Sequence, residues 1–476
     1  MRASIPLQLT YDDVLLEPRR SRVRHRADVD TSTYLTDKIK LSLPFLSANM
    51  DTVTESKMAI AIARAGGMGM IHRFMSVTDQ AREVDKVTRF EEFLITDPYT
   101  VESSTSVGEI REAISSNGVS SFLVVGKDHR LKGLITRRDI VFVTKNKTPV
   151  NKVMTPLSKL VTAGKNITRK QAEALFSKHK VEKLPIVDRN NLLLGLVTAS
   201  SIVSSQTNPQ ATKDSHGRLM CGAAVGVVGD YLERAGQLLD AGASVLVVDV
   251  AHGQNISSLE AIAKLRKMFK KAQIIGGNVA TPSGVKDLIK AGVDAVKVGI
   301  GPGGLCTTRT VTGVGVPQLS AVINCARAVS GRVKLITDGG TNYPGDITKA
   351  LAAGANTIML AGWFAGTQES PGEIILRKNK RYKIHRGSAS FLSQSDTVER
   401  LKSGKRLNSI VPEGVESLME FKGSVDEIVY QLEGSLRSGM SYCNAMTISE
   451  LQKNARFVRM TSAGFRESGS HNVDEI

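Results

Sequence analysis

The sequence predicts an α/β fold in which a parallel (β/α)8 barrel is interrupted by a smaller, internally duplicated module. Three observations carry this expectation. Eight short, near-continuous apolar segments each precede an amphipathic stretch, the pattern of buried parallel strands alternating with helices. Most of those segments carry a polar residue or a glycine at or near their C-terminal end, as strands do at the rim where a barrel carries its chemistry. Between residues 89 and 208 this rhythm breaks, and two halves of the interval resemble each other.

In chain order the strand segments are LPFLSAN (43–49), GGMGMIH (66–72), CGAAVGV (221–227), SVLVVDV (244–250), QIIGGNV (273–279), DAVKVGI (294–300), VKLITDGG (333–340) and NTIMLAG (356–362). Helical patterns such as YLERAGQLLDAG and PSGVKDLIKAG follow them. Asn49, His72, Asp249, Asn278, Gly299, Asp338 and Gly362 then fall at the C-terminal rim of a TIM barrel built from residues 1–88 and 214–476.

The interrupting module repeats one motif. VSSFLVVGKDHRLKGLITRRDI (119–140) and VEKLPIVDRNNLLLGLVTASSI (181–202) both read strand, polar turn, strand ending Gly-x-x-Thr, then helix. These halves, assigned to residues 89–147 and 148–208, resemble a tandem CBS (Bateman) pair. The resemblance implies binding of regulatory purine nucleotides such as ATP, GTP or GDP. In such modules a Thr-x-x-Asp closes on the ribose; Thr136 and Asp139 match it, whereas Thr198 is followed by Ser201. A packing or oligomerisation module without ligand is the alternative.

Composition narrows the class. The chain is 41% hydrophobic and 23% charged, an ordinary globular balance, and at 476 residues it is long enough for two or three domains. No apolar run approaches the roughly 18 residues of a membrane-spanning helix, and the N-terminal stretch lacks a signal-peptide core. The chain does not end in a peroxisomal SKL-type tripeptide. An intracellular, cytoplasmic setting without membrane association is the expectation. The net charge of +17 suits anionic partners, but basic residues are scattered and aromatics make up only 5%, so no nucleic-acid platform is expected. Cys221, Cys306, Cys325 and Cys443 lie far apart without metal-ligand spacing, which argues against disulfides or structural zinc.

Of these thiols, Cys306 has the unusual setting, the glycine-rich loop GPGGLCTTRTVTGVGVPQ (301–318) after the sixth strand segment. Gly299, Gly301, Gly303 and Gly304 allow the backbone to approach a ligand or ion closely. A thiol at a barrel rim becomes a nucleophile when a base is near, and the loop holds no histidine, so the base comes from elsewhere.

Together, LTYDDVLLEP (9–18), ANMDTVTESKMA (48–59), VDVAHG (248–253), GGNVAT (276–281), GPGGLCTTR (301–309), GVGVPQLSAV (313–322), TDGG (337–340), VPEGVE (411–416) and ARFVRMTSAGFRES (455–468) resemble the IMP dehydrogenase/GMP reductase family along nearly the whole chain. The resemblance implies a homotetramer, with pairing into octamers in some members. It implies that Cys306 attacks C2 of a purine nucleotide, GMP or IMP, to form a thioimidate. Thr308 and Glu413 match the family's proton-transfer pair. Asp338 matches the carboxylate gripping the substrate ribose, and Asp249 the one facing the nicotinamide ribose. Asn278, Gly303, Gly304, Gly340, Gly362 and Met50 fall at substrate-binding positions, and Gly299 and Gly301 on the cofactor side. Carbonyls of Gly301, Gly303 and Cys306, with a neighbouring subunit's segment 467–469, match a potassium site.

The resemblance is closest in character to a CBS-containing GMP reductase, using NADPH to convert GMP to IMP and ammonia. The dehydrogenase alternative, oxidising IMP with NAD+ and water, needs an Arg-Tyr pair on a flap. The interval FLSQSDTVERLKSGKRLNSI (391–410) holds arginines followed by leucine and no tyrosine. Arg381–Tyr382 lies before it, in a strand-like stretch. LSAV after the Pro-Gln and Asn49 also resemble reductases, whereas the C-terminal segment and the CBS pair are commoner in dehydrogenases. Several phosphate-pocket positions depart from the family: Gly304 replaces Ser, Ala361–Gly362 replaces Gly-Ser, and His385 and Ser388 stand in the Tyr-Arg-Gly-Met stretch. Charge on His385 or Arg386 is the expected compensation. A non-catalytic purine-nucleotide sensor is the second alternative.

Overall fold

The computed structural model describes residues 5–90, 93–117, 119–393, 395 and 411–470. All eight expected barrel strands form: β1 (Phe45–Ser47), β2 (Met68–Ile71), β3 (Gly222–Val225), β4 (Val245–Asp249), β5 (Gln273–Val279), β6 (Ala295–Val298), β7 (Lys334–Asp338) and β8 (Thr357–Leu360). Each pairs in parallel with the next, and β8 pairs with β1 to close the barrel.

The period-2 alternation of strands explains why these segments read as continuous apolar runs. Leu46, Met68, Met70, Ala224, Val245, Val247, Ile275, Ala295, Ile336 and Met359 form one buried cluster inside the barrel. Intervening residues such as Leu246, Val248, Val296 and Val298 are equally buried on the strands' other face, where the helices lie. A hairpin of Thr33–Thr36 and Ile39–Leu41 adds Leu35, Ile39 and Leu41 to the inner cluster. Truncating one inner aliphatic, such as Ile275→Ala, is expected to cost about 2–5 kcal/mol, because the closed strand ring cannot collapse on the cavity.

Helix boundaries follow local chemistry. Pro282–Ala291 starts where Thr281 Oγ1 accepts from Gly284 N at 3.2 Å with proline in the first turn. It stops at Gly292, whose φ of +105° suits only glycine without strain. Beyond β8 a three-stranded antiparallel sheet, Ile375–Arg377, Lys380–Arg386 and Glu416–Glu420, is appended to the barrel. Arg381 and Tyr382 are on its middle strand, as their pattern suggests. Most of the flap interval, residues 394 and 396–410, lies outside the described residues.

The chain divides into two compact units. One comprises residues 1–87, 210–212 and 220–476; the other comprises 88–209 and 213–219. In the second unit, Ser121–Val125 pairs antiparallel with Leu131–Thr136, and Lys183–Val187 pairs likewise with Leu193–Thr198. Each hairpin packs its own core, Phe122, Val124 and Ile135 in one and Leu184, Ile186 and Val197 in the other. The hairpin turns meet, with Leu131 N donating to Asn191 O and Leu193 N to His129 O. His129 and Asn191 occupy equivalent positions with positive φ, a backbone trace of the sequence repeat. Among the described residues, no helix is long and apolar enough to cross a membrane.

Candidate active site

The thiol loop leaves β6 and is fastened at several points. Gly299 has φ +150°, and a Cβ there would collide with the carbonyl of Asp338, so only glycine lets the tips of β6 and β7 meet this closely. Arg309 closes the loop from within. Its guanidinium donates to Ile300 O at 3.2 Å and to Val316 O, binding both ends of the segment. Room for its stem comes from two glycines: a Cβ on Gly301 would lie 2.5 Å, and one on Gly315 2.6 Å, from Arg309 Cγ.

Cys306 lies exposed on this loop. Its N–H donates to Gly303 O at 2.9 Å, and the segment carrying Glu413 runs alongside through Thr307 N to Glu413 O (2.8 Å) and Val415 N to Leu305 O (3.0 Å). The appended sheet therefore delivers Glu413 to the thiol. The side chains form a chain: Cys306 Sγ is 3.2 Å from Thr308 Oγ1, which donates to Glu413 Oε2 at 2.8 Å. A nucleophile, a hydroxyl and a carboxylate in sequence can form a covalent adduct and relay a proton to or from it.

A second cluster closes the top of the barrel interior. Lys297, only 3% exposed, donates to Asp338 Oδ2 at 2.7 Å and to Asp249 Oδ1 at 3.0 Å. Asn278 Nδ2 donates to Asp338 Oδ2 at 2.9 Å and to Gly299 O at 2.8 Å. Burial acts to raise the Asp249 pKa, but the Lys297 ammonium, Arg73 and a hydrogen bond from Asn49 outweigh it and hold the carboxyl below its ordinary value. Burial acts to lower the Lys297 pKa, and the two carboxylates reverse that and raise it. Asp249 and Lys297 are thus both ionised at neutral pH. Gln318 Nε2 ties the neighbouring strand tips, donating to Val298 O at 2.8 Å and Thr337 Oγ1 at 3.0 Å, and Tyr11 OH lies 3.0 Å from the same Thr337 hydroxyl.

The remaining candidates are placed as follows. Met50 follows β1 and packs, partly buried, on the inner barrel cluster. Gly340, at φ +83°, faces Gln318 and Pro302. Gly304 and Gly362 both border open space, with nothing within 4 Å of an added Cβ. Lys422 Nζ donates to the carbonyl of Gly362, and Trp363 Nε1 to Thr341 O at 3.2 Å. Carbonyl oxygens of the kind Gly301, Gly303 and Cys306 present suit a monovalent cation, and Gly303 O already accepts from Cys306 N.

The expected compensation by His385 or Arg386 is corrected here. Burial, with the nearby Lys422 charge, pushes the His385 pKa down to about 4 against the opposing pull of Asp51, so the imidazole is neutral at pH 7. Its Nδ1 lies 3.0 Å from Thr52 Oγ1. Arg386 is committed to an ion pair with Asp51, its Nε donating at 2.6 Å. In the second unit, Thr136 N and Oγ1 both donate to Asp139 Oδ2 at 2.7 Å, whereas Thr198 Oγ1 bonds Ser200 Oγ at 3.0 Å and accepts from Ser201 N.

Lys297, Arg309 and Gln318 were not singled out from the sequence. A lone lysine inside the apolar run AVKV was the available signal for the first; nothing local marks the other two.

A family model described as "IMP dehydrogenase / GMP reductase domain" matches residues 8–471. The chain is 46% identical over 470 residues to inosine-5'-monophosphate dehydrogenase of Nitrosopumilus maritimus, covering 98% of each chain. It is also 46% identical to the enzyme of that name from Bacillus subtilis, covering 98% of this chain and 96% of the relative. Among solved structures it resembles a cysteine-to-alanine variant of GMP reductase from Trypanosoma brucei in complex with guanosine 5'-monophosphate. That match has a TM-score of 0.90 and 44% identity, and covers 99% of both chains. The same reductase in complex with guanosine 5'-triphosphate matches at a TM-score of 0.79 and 40% identity, covering 97% of this chain and 99% of that one. A shared closed barrel, a rim cysteine beside a threonine–glutamate pair, and agreement along the whole length have one meaning: the chain belongs to the IMP dehydrogenase/GMP reductase family of purine-nucleotide oxidoreductases.

Proposed function

We propose that the protein is a GMP reductase, converting GMP to IMP and ammonia at the expense of NADPH. The observation that carries this choice is the interval 391–410, which holds no tyrosine and therefore no Arg-Tyr pair to activate water. Reductive deamination needs no such water. The likeness to a GMP-bound reductase at 44% identity supports it.

On this reading Cys306 Sγ attacks C2 of the purine. The exocyclic amine leaves as ammonia after taking a proton relayed by Thr308 and Glu413, and the thioimidate remains. The nicotinamide cofactor supplies hydride to C2, and the C–S bond then breaks to return the thiolate. One hydride and one proton enter and one ammonia leaves. Asp338 and Asn278 orient the substrate ribose, and Asp249 the cofactor ribose. The carbonyls of Gly301, Gly303 and Cys306 would hold a potassium ion, and the chain assembles as a tetramer or octamer. The second unit is a CBS pair that binds a regulatory purine nucleotide at Thr136 and Asp139; that a similar reductase forms a complex with guanosine 5'-triphosphate supports a purine nucleotide as ligand.

A second reading, IMP dehydrogenase, has its own support in the names of relatives 46% identical over 98% of the chain. Absorbance at 340 nm separates the two. Loss with GMP and NADPH, and no gain with IMP and NAD+, is expected; gain only in the second assay overturns the reductase. Silence in both with tight purine-nucleotide binding identifies a sensor.

A further inference from the structure

We propose that Lys297 is a positioning residue shared by the two ribose-reading carboxylates, Asp338 and Asp249, and that it couples nucleotide binding to dinucleotide binding. The inference rests on the reading of those two aspartates given above.

The argument begins with strand register. Val245 and Val247 of β4, Ile275 of β5, Ala295 of β6 and Ile336 of β7 all face the barrel interior. Two residues further along each strand come Asp249, Gly277, Lys297 and Asp338, which period-2 alternation places on the same face, one layer nearer the rim. An aliphatic layer would fill this space and exclude water. Here it is ionic. Gly277 is opposite Lys297 in the ladder, and a Cβ on Gly277 would lie 2.6 Å from Lys297 Cβ, so the missing side chain makes room for the lysine stem.

One buried ammonium is shared by two carboxylates, with Arg73 acting in addition on Asp249. Each aspartate remains partly open to solvent, 18% for Asp249 and 21% for Asp338, while Lys297 is buried. Asp338 gives the same oxygen, Oδ2, to both Lys297 and Asn278. A ligand hydroxyl that draws on one carboxylate changes how much of the ammonium is available to the other. Such coupling is reciprocal: each ligand alters the affinity of the other by the same factor. A lysine needed only for folding would, when removed, lower stability and leave both ligand affinities unmoved.

The test is steady-state kinetics of Lys297→Met in the full-length protein. KM for GMP and KM for NADPH are expected to rise together, each by ten-fold or more, while kcat falls less. The rate of Cys306 alkylation by iodoacetamide in free enzyme stays within two-fold, because the Cys306–Thr308–Glu413 chain does not touch Lys297. Lys297→Arg recovers part of both KM values. A rise in only one KM, or in neither, overturns the proposal. Should Lys297→Met fail to fold, calorimetric titration of Asp249→Asn with GMP alone replaces it. A Kd changed by three-fold or more supports coupling, and an unchanged Kd overturns it. Asp338→Asn separates the two levels: if it binds GMP normally, the assignment of the carboxylates fails and the inference with it. If Asp338→Asn weakens GMP while Lys297→Met moves neither KM, the inference alone fails.

Discussion

Thr308 Oγ1 stands 2.8 Å from Glu413 Oε2 although 105 residues separate them in the chain, and the same hydroxyl is 3.2 Å from Cys306 Sγ. Among the described residues this hydroxyl links the thiol to the carboxylate, so removing the carboxylate's charge should stop proton delivery without disturbing the nucleophile. Glu413→Gln is expected to lower kcat by roughly 10²–10⁴-fold, the span of general acid–base catalysis. Alkylation of Cys306 should continue at its original rate. Full turnover in Glu413→Gln would remove Glu413 from the mechanism.

Arg309 holds both ends of the thiol loop through Ile300 O and Val316 O. Arg309→Ala loses those bonds and leaves the Gly301 and Gly315 slot unfilled. Turnover should fall by on the order of 10²-fold, as small displacements of a reacting group do. Arg309→Lys should rescue little, because a single ammonium cannot reach two carbonyls in the planar fork of a guanidinium. Near-normal turnover in Arg309→Ala would show that the main-chain bonds to 413–415 hold the loop unaided.

Gly304 borders open space, so a serine there meets no steric obstacle. Its hydroxyl occupies the position from which relatives are expected to contact the substrate phosphate. Gly304→Ser should lower KM for the nucleotide about five- to ten-fold, equivalent to about 1–1.5 kcal/mol for one added hydrogen bond. Melting temperature should be unchanged. A KM that rises would mean that this chain's phosphate pocket is shaped for a different group.

His385 provides one pH-dependent term in stability. Its folded pKa of about 4 is below the unfolded value of about 6.5, so the unfolded chain takes up the proton first as pH falls. The stability its neutral form contributes is present above pH about 6.5 and is lost as pH drops toward 4. The ceiling on that loss is on the order of 3 kcal/mol. Urea titrations of His385→Phe between pH 4 and 7 should show a shallower decline than the parent protein. Identical slopes would exclude this histidine as the source.

The nucleophile and its partners differ in how much local sequence reveals. Cys306 was legible because a thiol in a glycine-rich loop fits neither a core strand nor a helix. Thr308 and Glu413 became legible through motif resemblance, since a threonine in a turn and a glutamate after proline carry no local mark. Lys297 showed only as an interruption in an apolar strand, and its two partners are 41 and 48 residues away. The ionisation of His385 carries no mark in the sequence; burial, with the Lys422 charge nearby, decides it.

By itself the sequence determined the eight strands, their order and the residues at their ends. Those features depend on apolar periodicity and turn chemistry, which act over a few residues and survive in one dimension. Tertiary structure alone decided that Asp249, Lys297 and Asp338 form one ionic layer, that Arg309 fills a slot between two glycines, and that His385 is neutral. The ionic layer follows from barrel closure, the Arg309 slot from the folding of the loop after β6, and the burial of His385 from the appended sheet. Each brings distant positions together and excludes the water that would otherwise screen them.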